Sequence, residues 1–163
     1  MAVRPVLSLP DPVLQQVARP IGGVDLDLAA DLVDTMRARP ACVGVAAPQI
    51  GVGLRAFVVD VTGHRKARSC AGEVVLFDPE LVSAGQPTVA REGCLSIPHL
   101  TGDVARATSV VLRGLGVDGR ERMVAADAFE ARALLHELDH LDGLLFVDRV
   151  ASPHAVFVRK VYR

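Results

Sequence analysis

Residues 127–143, DAFEARALLHELDHLDG, decide how the rest of the chain is read. Asp127 with Glu130 three positions on has the form of a capping box, in which each polar side chain answers the other's backbone N–H. Gly143 supplies a residue at which a helix can stop, so the pattern predicts a helix from Asp127 to about Leu141. Inside it stands His136-Glu137-Leu138-Asp139-His140. Side chains four apart share a helix face, so both imidazoles can reach one ion. Glu137 is turned by about 100° from His136, which sets its carboxylate beside that ion as an acid/base rather than a ligand. Leu134, Leu135, Leu138 and Leu141 surround the pair, and polar groups among leucines are costly unless something engages them.

Outward from this helix, Asp11-Pro12 begins a short helix expected to reach about Ala18, before Pro20. Asp25 caps a second over Leu26 to Ala38, with Leu28, Leu32, Val33 and Met36 at helical spacing and Pro40 beyond. Strand formers occupy Leu54 to Val61 and Val74 to Phe77, the latter ahead of Pro79. Thr108 to Leu112 and Arg122 to Ala126 flank Asp118-Gly119, a hairpin signal. Helices at either end with sheet between predict an α+β fold. We expect mostly antiparallel sheets around a central helix carrying the motif, with residues 1–163 forming one domain.

At 163 residues the chain can bury a core, and with half its residues apolar and no Trp the packing must be aliphatic. A net charge of −1, from 18 basic and 19 acidic side chains, speaks against a nucleic-acid scaffold. The basic cluster Arg159-Lys160-Val161-Tyr162-Arg163 reads as a solvated terminus. Prolines 5, 10 and 12 leave the start without the apolar run of a signal peptide, and no stretch has the length of a membrane span. Cysteines at 42, 70 and 94 form no even set and no Cys-x-x-Cys pair, which points to a reducing compartment and so to the cytoplasm.

Two histidines do not complete a catalytic metal site, which needs a third protein ligand and a position open to water. His64 lies in the basic stretch HRKAR, His99 follows Pro98, and His154 follows Ser152-Pro153; each reads as a surface histidine. Cys94, in Glu92-Gly93-Cys94-Leu95-Ser96, is the better candidate, because a thiolate binds zinc or ferrous iron well. A small buried hydrophobe is the usual fate of a lone cysteine, and the helix motif is what tips the reading.

Three segments, CVGVAAPQIG at 42–51, EGCLSIP at 92–98 and HELDHLDG at 136–143, together resemble peptide deformylase in order and spacing. The similarity runs over nearly the whole chain from VLSLPDPVL onward. The resemblance implies a hydrolase that removes the N-formyl group from the formyl-methionine of nascent polypeptides and releases formate. It implies one divalent metal, natively Fe(2+), with Zn(2+), Ni(2+) or Co(2+) also suited to the donors. Cys94, His136 and His140 would be the ligands and Glu137 the catalytic acid/base. Gln49 and the backbone N–H of Leu95 would serve the developing oxyanion, and Gly44 would let the substrate backbone lie close. Val43, Val45 and Leu134 are expected as aliphatic walls for the methionine side chain. Glu92 and Arg106 resemble a buried pair that steadies the site, with Asp139 directed towards the same arginine; a surface salt bridge is the alternative. The implied partner is the formyl-methionyl nascent peptide, with transient contact to the ribosome.

Two residues depart from the family pattern; in addition, His99-Leu100-Thr101-Gly102 lacks the arginine that some members hold against the substrate backbone, and ribosome docking by a longer C-terminal helix is not carried over to this chain. Cys42 stands where glycine is usual, either as a small replacement or as an oxidation partner for Cys94. Leu135 stands where glutamine is usual, removing a polar neighbour of the ligands. A zincin-type peptidase shares the helix motif but takes His or Glu as third ligand, against Cys94. A deformylase-like protein that binds metal without turnover is the other alternative.

Overall fold

The computed structural model describes residues 2–159; of the basic cluster at 159–163 only Arg159, which is exposed, is therefore described, and 160–163 lie outside the described residues. Asp25 caps α1 (Leu26–Arg37) by accepting from the Leu28 N–H at 3.0 Å. Leu28, Leu32 and Met36 are buried along one face of it. The helix expected after Pro12 is one 3-10 turn, Pro12–Gln15. Gln16 is already extended, and the Ala18 N–H is drawn to the Leu141 carbonyl at 2.8 Å, so tertiary pairing ends the helix early.

Two antiparallel sheets follow. The first has the order β1-β2-β3-β6-β7, from β1 (Gly44–Ala46), β2 (Ala56–Val59), β3 (Val74–Ala84), β6 (Ser109–Leu115) and β7 (Glu121–Asp127). The second has the order β4-β5-β8, from β4 (Pro87–Cys94), β5 (Ile97–Ala107) and β8 (Val156–Val158). The β6–β7 hairpin turns at Gly119, whose φ of 78° is the conformation that the Asp-Gly signal announces. β3 does not stop before Pro79. Its register shifts between Phe77 and Glu80, and Asp78 sits at φ 50°, so a bulge absorbs the proline and the strand runs on to Ala84.

α2 (Ala128–Leu141) carries the motif and packs against β1, β2, β6 and β7 of the first sheet and β5 of the second. Its expected capping box does not form. Asp127 makes no capping bond; its Oδ1 accepts from the Ser69 N–H, while Glu130, fully buried, accepts from the Ser69 hydroxyl and the Ala71 N–H. Both carboxylates pin the 69–71 loop, and the chain enters the helix through Ala128 at φ 48°. The main core lies between α2 and the first sheet: Leu134, Leu138 and Leu141 pack with Phe57, Val59, Leu76 and Leu112. A second cluster joins α1 to the other face of that sheet through Val45, Val58 and Phe77. The structure is thus α+β, with α2 held rigidly by packing on most of its circumference.

Candidate metal centre

α2 presents His136, Glu137 and His140 towards the last residue of β4, Cys94. One ligand atom from each of Cys94, His136 and His140 lies within 4.8 Å of the others. Cys94 Sγ is 3.4 Å from His140 Nε2, about the edge length of a tetrahedron of donors 2.0–2.3 Å from a common ion. The His136 and His140 rings stand nearly perpendicular, at 71° and 5.0 Å between centroids. His64, His99 and His154 belong to no such group among the described residues. His64 stacks on Phe129 at 4.0 Å, while His99 and His154 are exposed.

The imidazoles are held in different ways. Nδ1 of His136 donates to Glu92 Oε1 at 2.5 Å, which leaves its Nε2 for coordination. Glu92 also accepts from Arg106 Nε at 3.0 Å and Nη2 at 2.7 Å, and Arg106 Nη1 donates to Asp139 at 2.6 Å. Arg149 closes the chain on Asp139 at 3.3 Å. Side-chain exposures of 3% for Arg106, 11% for Glu92 and 10% for Asp139 make this a buried network, not a surface bridge. Burial works against the Glu92 carboxylate, but the His136 and Arg106 hydrogen bonds outweigh it and bring its pKa down to about 2.

His140 is the buried neutral ring: burial and then the charge on His136 push its pKa well below the usual value. His136 moves the other way: burial would lower its pKa, but Cys94 and the Glu92 hydrogen bond outweigh that and raise it well above the usual value. Nδ1 of His140 and Oε2 of Glu137 find no hydrogen-bond partner among the described residues. A thiol, two imidazoles and an orphaned carboxylate oxygen converging in one buried place are what a borderline-soft divalent cation and its water would satisfy, so the donor set fits such a metal.

Glu137 is 4% exposed, and burial raises its pKa to about 7, the range wanted in a proton carrier at neutral pH. Gly44 makes room for it. A Cβ on Gly44 would stand 3.0 Å from Glu137 Cγ and 3.1 Å from Oε1, so the space expected for a substrate backbone is partly taken by the carboxylate. Gln49, in the 3-10 turn Ala47–Ile50, is 1% exposed. Its Oε1 accepts from the Ala46 N–H at 3.0 Å, which fixes the amide so that Nε2 points to Ser96 Oγ at 3.2 Å and Cys94 Sγ at 3.7 Å.

A cavity of about 490 Å³ opens onto these groups, lined by Cys42, Val43, Gly44, Gln49, Cys94 and Leu95 and by the α2 face Phe129, Ala133, His136 and Glu137. The strands on either side of it, β1 and β4, are both sheet edges. Val45 and Leu134 are not on its wall. Both are fully buried in the cores, because β1 turns Val45 towards α1 and α2 turns Leu134 onto the sheet. Sequence reasoning missed Phe129 and Ala133, although their places seven and three residues ahead of His136 put them on the ligand face. It also missed Ser96, whose N–H donates to Cys94 Sγ at 3.4 Å. Cys42 is half-buried; its Sγ donates to the Gly44 carbonyl at 3.4 Å, and burial pushes its thiol up to about 11. Leu135 packs against the main core.

Residues 3–156 match the family model described as polypeptide deformylase. A peptide deformylase of Thermomicrobium roseum is 46% identical over 154 residues, covering 92% of this chain and 87% of that protein. One from Desulforudis audaxviator is 40% identical over 156 residues, covering 93% and 96%. Among solved structures, a peptide deformylase from Legionella pneumophila superposes with a TM-score of 0.82 at 38% identity, covering 93% of this chain and 88% of that one. A Met-Ala-Ser-bound class I type b peptide deformylase from Acinetobacter baumannii gives 0.83 at 31% identity, covering 91% and 100%.

Proposed function

The chain belongs to the polypeptide deformylase family, metal-dependent hydrolases that remove the N-formyl group from nascent peptides, and from that premise we propose how its residues divide the work. Cys94, His136 and His140 hold the metal, and Glu137 is the acid/base; the Glu137 oxygen without a partner among the described residues, in the cavity that Cys94 and His136 also line, carries this assignment. A divalent metal bound there supplies Lewis acidity that lowers the pKa of water towards neutrality.

Glu137, with its pKa near 7, takes a proton from the attacking water and returns one to the leaving nitrogen. Attack on the formyl carbon moves negative charge onto the formyl oxygen. Gln49 Nε2, held by the Ala46 N–H on its other end, donates to that oxygen, together with the Leu95 N–H. The bond that breaks joins the formyl carbon to the methionine nitrogen, giving formate and a free amino terminus. Val43, Phe129 and Ala133 receive the methionine side chain, and Gly44 leaves room for Glu137 to approach the reacting carbon.

The finer assignments are part of the same reading. Residues 1–163 act as one catalytic domain on formyl-methionyl nascent peptides in the cytoplasm, meeting the ribosome transiently. No helix of the described residues is long and apolar enough to cross a membrane. Ferrous iron is the native metal, matched to one thiolate and two imidazoles. Protein purified without oxygen should carry about one iron per chain and release formate from formyl-Met-Ala-Ser. Zinc in place of iron in that preparation, with full activity, would refute the choice of metal.

A further inference from the structure

Lys66, Arg91, Arg132 and Arg159 line the cavity, and they are not equivalent. Arg91 is 2.8 Å from Asp103, and its guanidinium lies 4.0 Å from the centre of the Phe157 ring. Arg132 donates to the Thr88 and Val104 carbonyls and stands 3.6 Å from Glu92. Lys66 and Arg159 have no carboxylate at ion-pair distance among the described residues. The carboxylates that line the cavity, Glu92 and Glu137, lie on its inner side, and Glu92 is already engaged by Arg106 and His136.

Arg159 is brought there by the backbone. Its N–H donates to the His99 carbonyl at 2.8 Å, continuing the pairing of β8 with β5. The side chain then crosses Thr101 to lie over Gly93 of β4, two strands away from its own. The glycine permits this: a Cβ on Gly93 would fall on Nη2 of Arg159, 3.4 Å from Cζ and 3.5 Å from the Thr101 methyl. The result is a guanidinium beside Gly93, with no carboxylate at ion-pair distance among the described residues.

We propose that Arg159 is a specificity residue for this enzyme, pairing with the carboxylate of an acidic side chain in the residues that follow formyl-methionine. The proposal rests on the deformylase reading of the cavity: with the formyl group at Glu137 and methionine inside, a cation on the exposed rim meets the next residues of the peptide. Planar, bidentate pairing with a carboxylate is what a guanidinium offers over an ammonium.

The test compares kcat/KM for formate release from two amidated peptides, formyl-Met-Ala-Glu and formyl-Met-Ala-Gln, which differ in charge and not in shape. The metal-loaded wild type should favour the glutamate peptide about two- to fivefold at low salt, the range for an exposed pair. Arg159→Gln should bring the ratio to about one, and Arg159→Lys should restore part of the preference. A ratio of one in wild type, or a preference that survives Arg159→Gln, overturns the proposal. So does a preference seen only when the peptide ends in a free carboxylate. Failure to release formate from either peptide would instead refute the deformylase reading, and the proposal with it.

Discussion

Replacing Glu92 by glutamine keeps the side chain's shape and removes its charge from the centre of the network behind His136. Glu92 accepts three hydrogen bonds, two from Arg106 and one from His136 Nδ1. An amide can satisfy the donors at one of its ends; at the other its own N–H meets an Arg106 N–H. Arg106, 3% exposed, would then keep Asp139 as its sole close counter-charge among the described residues. A buried donor left unpaired costs about 1–3 kcal/mol, and breaking a buried ion pair costs about 3–5 kcal/mol. These overlap, since the same guanidinium is counted in both, so Glu92→Gln should destabilise the fold by roughly 3 kcal/mol. Urea unfolding with the metal saturated measures it. The loss of the carboxylate behind His136 should also weaken metal binding by about 10- to 100-fold, read by competition with a chelator. A stability change under about 1 kcal/mol together with unchanged metal affinity would refute the reasoning that this network both supports the fold and orients the ligand.

Glu137→Gln should make the metal-stripped protein more stable at pH 8. The native carboxylate's pKa is raised from 4.5 to about 7, so its cost grows above pH 4.5 and is complete above 7. That shift amounts to about 3 kcal/mol, and the gap between variant and wild type should close by pH 4.5 in chelator-treated samples. Gly44→Ala should cut kcat by at least tenfold while costing about 1–3 kcal/mol of stability, because the new Cβ at 3.0 Å displaces the Glu137 side chain; steady-state kinetics beside a melting curve separate the two. Asp31 accepts from the Ala2 N–H and Arg4 Nε, and although burial opposes it, these bonds hold its pKa below 3.8. Its contribution is therefore full above 3.8 and lost as pH falls through the folded value, so wild type should be more stable than Asp31→Asn at pH 7 and the gap should shrink at pH 3.

The site was more legible in the sequence than the fold around it, for a physical reason. Coordination depends on residue type and helical spacing, both written locally, so His136, His140 and Cys94 could be named before any contact was known. Glu92, Arg106 and Asp139 were named only with help from a resemblance, and their burial could not be read from charge alone. Elsewhere, long-range pairing overrode local signals. Pro79 looked like the end of a strand but sits in a bulge, because β6 pairs with β3 on both sides of it. Asp127 and Glu130 had the spacing of a capping box, yet the Ser69 and Ala71 groups reached them first. Val45 was expected on the cavity wall and lies in the core, since a three-residue strand gives too little alternation to tell its faces apart. Arg159 reaches the cavity across two strands, a contact that no sequence period announces.

The most direct test of the account is formate release from formyl-Met-Ala-Ser by Glu137→Gln, with metal content determined on the same sample. The account predicts about one metal per chain, as in wild type, and turnover lower by a factor of about 100 or more. Turnover within a few fold of wild type would contradict the assignment of Glu137 as the proton carrier.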